Sequence, residues 1–259
     1  MKSYYGDMID EGTGKIIVMV HGTMMDKTMF LPQIEALKAS YRVIAYDQRA
    51  RTSAYDIPYD LKNLADDCLT LLDNLKIKKC VILGMSMGGY MATEFIHHFP
   101  DRVEALVMVG SQIGAYSQHE QQIFMQEFIK FNHEGLVSRE LAEDTASFIF
   151  SSYAHKNNPE LIENTVESWS KLPARSVLRE AQSWLGKQDY TKTARNFDKP
   201  VLVIHGEDDK ALPAIVKTNA MKNAFPDVEI ICIPNTGHVV NLEAPEETNK
   251  ALRHFLERL

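Results

Sequence analysis

The stretch that most constrains this chain runs Gly84-Met85-Ser86-Met87-Gly88. An apolar run, Cys80-Val81-Ile82-Leu83, leads into it, and a further glycine, Gly89, opens onto a helix-like segment from Tyr90 to His98. This is the G-x-S-x-G pattern in the setting strand, tight turn, helix. A serine on such a turn has a strained backbone, and the residues two before and two after it must be small so that strand and helix can approach. The turn then holds the Ser86 hydroxyl out at the carboxyl edge of a sheet. The Met87 N–H lies at the start of the helix, where it can stabilise a developing oxyanion. The bland alternative is a glycine-rich turn with a solvated serine, so the weight of the pattern rests on its flanks.

Those flanks alternate strand and helix. Residues 16–20, 42–46, 80–83, 105–109, 200–204 and 228–233 read as strands, and an unbroken apolar run such as 16–20 suits a strand buried on both faces of a parallel sheet. Between them the spacing predicts helices over 28–39, where Pro32 fits only in a first turn, over 60–75 with Asp60 as N-cap, and near 213–224 and 245–258. Residues 1–15 are polar and offer at most one or two short edge strands. From 112 to 197 no buried strand run occurs; helices are expected near 117–134, 138–151, 158–171 and 173–186. The expected architecture is α/β: a mostly parallel, doubly covered sheet formed by 1–111 and 198–259, with a helical cap inserted at 112–197.

The 259 residues are ample for one large core. A formal net charge of −7 argues against general nucleic-acid binding and against docking on an anionic membrane. The N-terminal residues carry no apolar core of signal-peptide length, and no apolar stretch is long enough to span a bilayer. Cys68, Cys80 and Cys232 show no C-x-x-C spacing and read as buried free thiols. Together these features point to a reducing cytoplasm.

In an open parallel sheet, ligands sit beyond the carboxyl ends of the strands. Four polar clusters fall there: His21-Gly22-Thr23, Ser86, Asp208-Asp209 and His238. An unactivated serine needs a base within hydrogen-bond reach, and the base needs an orienting acid. Serine, acid and histidine occur in that chain order. The sequence resembles the α/β-hydrolase superfamily over essentially its whole length. The stretches that carry the likeness are His21-Gly22, Tyr46-Asp47-Gln48-Arg49, Gly84-Met85-Ser86-Met87-Gly88-Gly89, Gly206-Glu207-Asp208-Asp209 and Gly237-His238. Within it the chain looks most like small carboxylesterases and lactone hydrolases, including the 3-oxoadipate enol-lactonase type.

The resemblance implies Ser86 as nucleophile and His238 as general base, then general acid. It implies Asp209 as the orienting acid, because the family's G-x-x-D counts from Gly206 to Asp209; Asp208 would then shape the loop. The oxyanion hole would use the backbone N–H groups of Thr23 and Met87. It implies a cofactor-free hydrolase of a small carboxylic ester or lactone. Met24, Met25 and Met85, with Met87 and Met91, cluster near the expected site and either line an apolar pocket or fill core. His21 and His205 are expected to bond loop backbone, and His97, His98 and His254 to be solvated or packed. His119, His133 and His155 lack metal spacing, so no metal is assigned. The sequence says nothing of oligomeric state.

One departure stands out. Where the family has D-x-R-G-x-G-x-S, this chain has Asp47-Gln48-Arg49-Ala50-Arg51-Thr52-Ser53. A positive φ at Ala50 or Thr52 would be strained, so a different loop path is expected. Arg51 is expected to be solvent-exposed, with pairing to a substrate carboxylate as the alternative. The rivals to the ester or lactone reading are C–C bond hydrolysis or perhydrolysis on the same triad, and a ligand receptor on this fold.

Overall fold

The sheet has seven strands in the order β1-β3-β2-β4-β5-β6-β7. A computed structural model describes residues 4–259, so residues 1–3 of the polar leading segment lie outside the described residues. The strands are β1 Met8–Glu11, β2 Lys15–Val20, β3 Tyr41–Tyr46, β4 Cys80–Met85, β5 Val103–Val109, β6 Val201–Gly206 and β7 Val228–Ile233. β1 runs antiparallel to β3, and every other pairing is parallel. β4 and β6 are buried along their whole length, and both are apolar up to their carboxyl ends, where β6 carries the buried His205.

Helices cover both faces. α1 Leu31–Leu37, α2 Leu61–Asn74 and α3 Met87–His98 alternate with the first strands. Between β5 and β6 the chain makes α4 Gln118–Phe128, α5 Arg139–Ile149, α6 Ser152–Asn157, α7 Pro159–Trp169, α8 Ala174–Leu185 and α9 Thr191–Arg195. α10 Ala214–Ala224, α11 Val240–Glu243 and α12 Pro245–Leu256 follow. Leu64, Cys68 and Leu71 of α2 pack with Phe95 of α3 on one face. Ile34 and Leu37 of α1 pack with Leu252 and Phe255 of α12 on the other. No helix among the described residues is long and apolar enough to cross a membrane.

Local chemistry explains most boundaries. The Asp60 side chain accepts the Asn63 N–H while Asn63 accepts the Asp60 N–H, a reciprocal cap that fixes the start of α2. Pro32 sits in the first turn of α1, and a short 3₁₀ turn, Lys27–Phe30, precedes it. The helix expected over 138–151 stops at Ile149 because Phe150 turns extended, and Ser151 then caps the separate α6 through the Ala154 N–H. α6, α9 and α11 are short elements that no apolar stripe announces. Cys68 and Cys80 are buried, but Cys232 is exposed. That corrects the expectation of three buried thiols: Cys232 lies on β7, an edge strand.

α3 approaches the sheet more closely than a side chain would permit. A Cβ on Gly88 would stand 2.0 Å from the Val20 carbonyl oxygen, and one on Gly84 would stand 2.3 Å from the Gly88 carbonyl oxygen. Gly88→Ala is therefore expected to destabilise the fold by about 3 kcal/mol, lowering the thermal midpoint by about 6–12 °C. An unchanged midpoint in a melting experiment would show that α3 has room to move.

Candidate active site

Ser86 is the residue on which β4 turns into α3. Its backbone sits at φ +50°, ψ −116°, a conformation that costs a non-glycine residue about 1–3 kcal/mol. Hydrogen bonds on every side hold it. The Ser86 N–H donates to the Val109 carbonyl at 2.9 Å. Its carbonyl accepts from the Gly89 and Tyr90 N–H groups at 2.9 and 3.2 Å, and from the Ser111 hydroxyl at 2.9 Å. The strained turn is thus fixed from β5 and α3 together, and the hydroxyl is left pointing off the sheet edge.

His238 and Asp209 arrive there from the loops after β7 and β6. His238 Nε2 lies 2.9 Å from Ser86 Oγ, and His238 Nδ1 lies 2.8 Å from Asp209 Oδ2. The other Asp209 oxygen accepts the Ala211 and Leu212 N–H groups at 2.9 and 2.8 Å. Asp208 is exposed and contacts the Thr236 carbonyl through its own N–H, at 2.9 Å. His205 bonds loop backbone as expected, with Nε2 2.7 Å from the Leu212 carbonyl oxygen. That nitrogen also stands 3.1 Å from Asp209 Oδ2, a contact the sequence does not suggest.

Burial opposes the Asp209 charge, but the two histidines against it hold its carboxyl well below the usual carboxylate range. Burial alone would likewise lower the His238 pKa; the Asp209 carboxylate overcomes this and leaves it above the ordinary imidazole value of 6.5. A neutral His238 can take a proton from Ser86 and, once charged, can give it to a departing group.

The Thr23 backbone flanks the same point. A Cβ on Gly22 would stand 2.7 Å from the Met85 sulfur and 3.2 Å from the Ser86 Cβ, so a side chain here would push on the Met85–Ser86 turn. The Gly22 carbonyl accepts the Met25 N–H at 3.2 Å, and the His21 ring nitrogen Nδ1 stands 2.9 Å from it. In a trans peptide the Thr23 N–H points opposite to that carbonyl. Met87 opens α3, so its N–H is one of the donors that a helix start leaves without an intrahelical partner. His21 also accepts the Gln48 N–H at 3.0 Å, and burial with the Arg51 charge pushes its pKa down to about 4, which keeps it neutral.

Beyond Ser86 opens a cavity of about 390 Å³ lined by Met24, Met25, Met85, Tyr116, Phe128 and Trp184, among other largely apolar side chains. The three expected pocket methionines are in its wall. Met87 and Met91 are in the core beneath the sheet instead. The charged residues of the lining, Glu127, Lys130 and Asp144, are all exposed. Lys187 stands behind the wall, 4.8 and 5.2 Å from the Tyr90 and Tyr116 ring centres; burial and Lys217 push its pKa down to about 7.

The loop after β3 corrects the reading of Arg51. Residues 49–51 form a 3₁₀ turn with ordinary negative φ on either side, at Gln48 and Thr52. Arg51 is neither solvent-exposed nor free for a substrate: it is buried against Glu180 of α8, Nη2 to Oε2 2.9 Å. Without the family's glycines the chain turns here by helical geometry and carries the side chain inward.

Over residues 15–245 the sequence matches the α/β hydrolase fold family. The chain belongs to that family. Among relatives of this α/β hydrolase, 3-oxoadipate enol-lactonase 1 of Acinetobacter baylyi is 27% identical, over 94% of this chain and 89% of its own. A non-heme chloroperoxidase of Kitasatospora aureofaciens is 25% identical, over 96% and 94%. The solved structure of a thermophilic esterase from Thermogutta terrifontis superposes with a TM-score of 0.90 at 27% identity, covering 97% of this chain and 93% of that one. Hydrolase relatives on one shared fold support an enzyme that hydrolyses its substrate.

The Asp209 contact has a measurable signature. By NMR, the His238 ring should titrate above pH 6.5. Asp209→Asn should bring that midpoint down, since only the Glu243 charge then opposes burial, whereas Asp208→Asn should leave it in place. The folded state holds this proton more tightly than the unfolded chain. The His238 proton therefore contributes fully below pH 6.5 and loses that contribution as pH rises through the folded-state pKa, while Asp209, held low, loses its own contribution as pH falls below the ordinary carboxylate range. A midpoint that moves with Asp208 instead would reassign the orienting acid.

Proposed function

We propose that this α/β hydrolase cleaves neutral, apolar carboxylic esters or lactones through an acyl-enzyme on Ser86. The observation that carries the reading is the unbroken hydrogen-bond chain Ser86–His238–Asp209 at a strained turn, facing an apolar cavity. In the first step His238 Nε2 takes the Ser86 proton while Oγ attacks the acyl carbon. The carbonyl electrons move onto oxygen, where the Thr23 and Met87 N–H groups receive the charge. As the carbon–oxygen bond to the alcohol breaks, His238 returns the proton to the leaving oxygen. Water then repeats the sequence on the acyl-enzyme, releasing the acid and restoring Ser86. Asp209 keeps the imidazole oriented and balances its charge. No cofactor enters.

The cavity supports the substrate class. A substrate with a carboxylate, such as the enol-lactone of 3-oxoadipate, would meet only the exposed Lys130 as a lysine or arginine in this lining and no buried one, and Arg51 lies outside it, held by Glu180. Removing an ion from water without a partner is unfavourable, so a neutral acyl or alcohol group is the better fit. The cap helices, in particular α4, α5 and α8, form the walls that select it.

Turnover of a panel of p-nitrophenyl esters tests this. Neutral medium-length acyl chains should outperform succinyl-type esters that end in a carboxylate. Ser86→Ala should lower kcat by about 10⁴-fold or more with the fold intact. A folded Ser86→Ala protein that still turns over would remove Ser86 from the chemistry, and a preference for the anionic esters would overturn the substrate class.

A further inference from the structure

Glu180 is a fully buried carboxylate on α8 that no motif explains. Its Oε2 accepts the Met24 N–H at 3.0 Å and the Arg51 guanidinium at 2.9 Å, and neither side chain is more than 6% exposed. Its other oxygen finds no hydrogen-bond partner among the described residues. Arg51 also donates through Nε to the Met25 carbonyl at 2.8 Å and through Nη1 to the Ala50 carbonyl at 3.0 Å. The pair therefore grips Met24–Met25 from both sides, the N–H of one residue and the carbonyl of the next. Met24 is one of the few non-glycine residues at positive φ, +64°, and such a conformation persists only where its surroundings enforce it. Trp184, one turn further along α8, donates to the Thr23 hydroxyl at 3.1 Å.

We propose that Glu180, from α8, and Arg51, from the loop after β3, are positioning residues that together clamp the Thr23–Met25 loop, so that the Thr23 N–H faces the oxyanion formed at Ser86. The proposal rests on the serine-hydrolase reading above. It gives a reason for the Ala50-Arg51-Thr52 departure, since the arginine carried inward by this loop supplies half of the clamp. It also accounts for a cap helix that carries a charge on its buried face. As a purely structural element the pair is a poor choice: a buried ion pair is commonly no more stable than apolar residues of similar volume.

That difference sets the test. The double variant Arg51→Met/Glu180→Met removes both charges together and so leaves no unpaired buried charge; it should fold, with a lowered thermal midpoint because the Met24 N–H and the Met25 carbonyl lose their partners. A p-nitrophenyl alkylphosphonate serves as probe, because its reaction with Ser86 places a tetrahedral oxygen where the oxyanion would stand and releases p-nitrophenol. Wild type should react and Ser86→Ala should not. The double variant should react about 10²-fold more slowly, the scale for a displaced oxyanion donor, with KM for an ester substrate unchanged. If the double variant does not fold, Glu180→Gln, which keeps the shape and loses the charge, should react slower than wild type by about tenfold. A folded double variant or a folded Glu180→Gln protein that reacts at the wild-type rate overturns the clamp and leaves the hydrolase reading standing. An inert wild type overturns both.

Discussion

The structure depends on one strained turn. Ser86 can hold φ +50° only because the strand before it and the helix after it are pressed together with no side chain between them. Gly84 and Gly88 supply the contact, the β5 backbone supplies the Val109 acceptor, and Ser111 closes the remaining side. β4 lies between β2 and β5, so the turn rests on a neighbour at each edge, Val20 against Gly88 and Val109 against Ser86. Backbone strain is thereby offset by packing, and a hydroxyl that would otherwise be one of many on a surface is presented in a fixed direction.

The two loops that complete the site are held by the helical segment above the sheet. The Ile149 carbonyl, at the end of α5, accepts the His238 N–H at 2.7 Å. Glu243 of α11 accepts the Gly237 and Ser151 N–H groups, each at about 3.0 Å, tying the histidine loop to the break between α5 and α6. On the opposite side α8 holds Thr23 and Met24 through Trp184 and Glu180. The helices that wall the cavity are thus the ones that set the geometry of the reacting groups beneath it. Substrate shape and chemical positioning are carried by the same elements, which is why a change of wall residue on α5 or α8 reaches further than the cavity.

Much of this was legible in the sequence because the central strands are buried on both faces and read as unbroken apolar runs. The turn at Ser86 and the loops ending in Asp209 and His238 carry glycines whose spacing marks their close approaches. What was not legible has two physical causes. The edge strand expected within residues 1–15 is there as β1, but a short element such as α6, started by the Ser151 cap and not by periodicity, leaves no pattern. Arg51 and Glu180 are 129 positions apart, and each alone resembles an ordinary surface charge. Only the fold brings them together, and the loss of two glycines after Asp47 was the sole local sign that this loop does something different. The same holds for His205, whose contact with Asp209 depends on how the loop folds back after β6.

The account turns on a covalent bond at one atom. The measurement that tests it most directly is mass spectrometry of the protein quenched during turnover of a slowly deacylated p-nitrophenyl ester, followed by tryptic mapping of residues 80–102. The account predicts one acyl group per chain, on Ser86. An acyl group on any other side chain, such as the exposed Cys232, would contradict it.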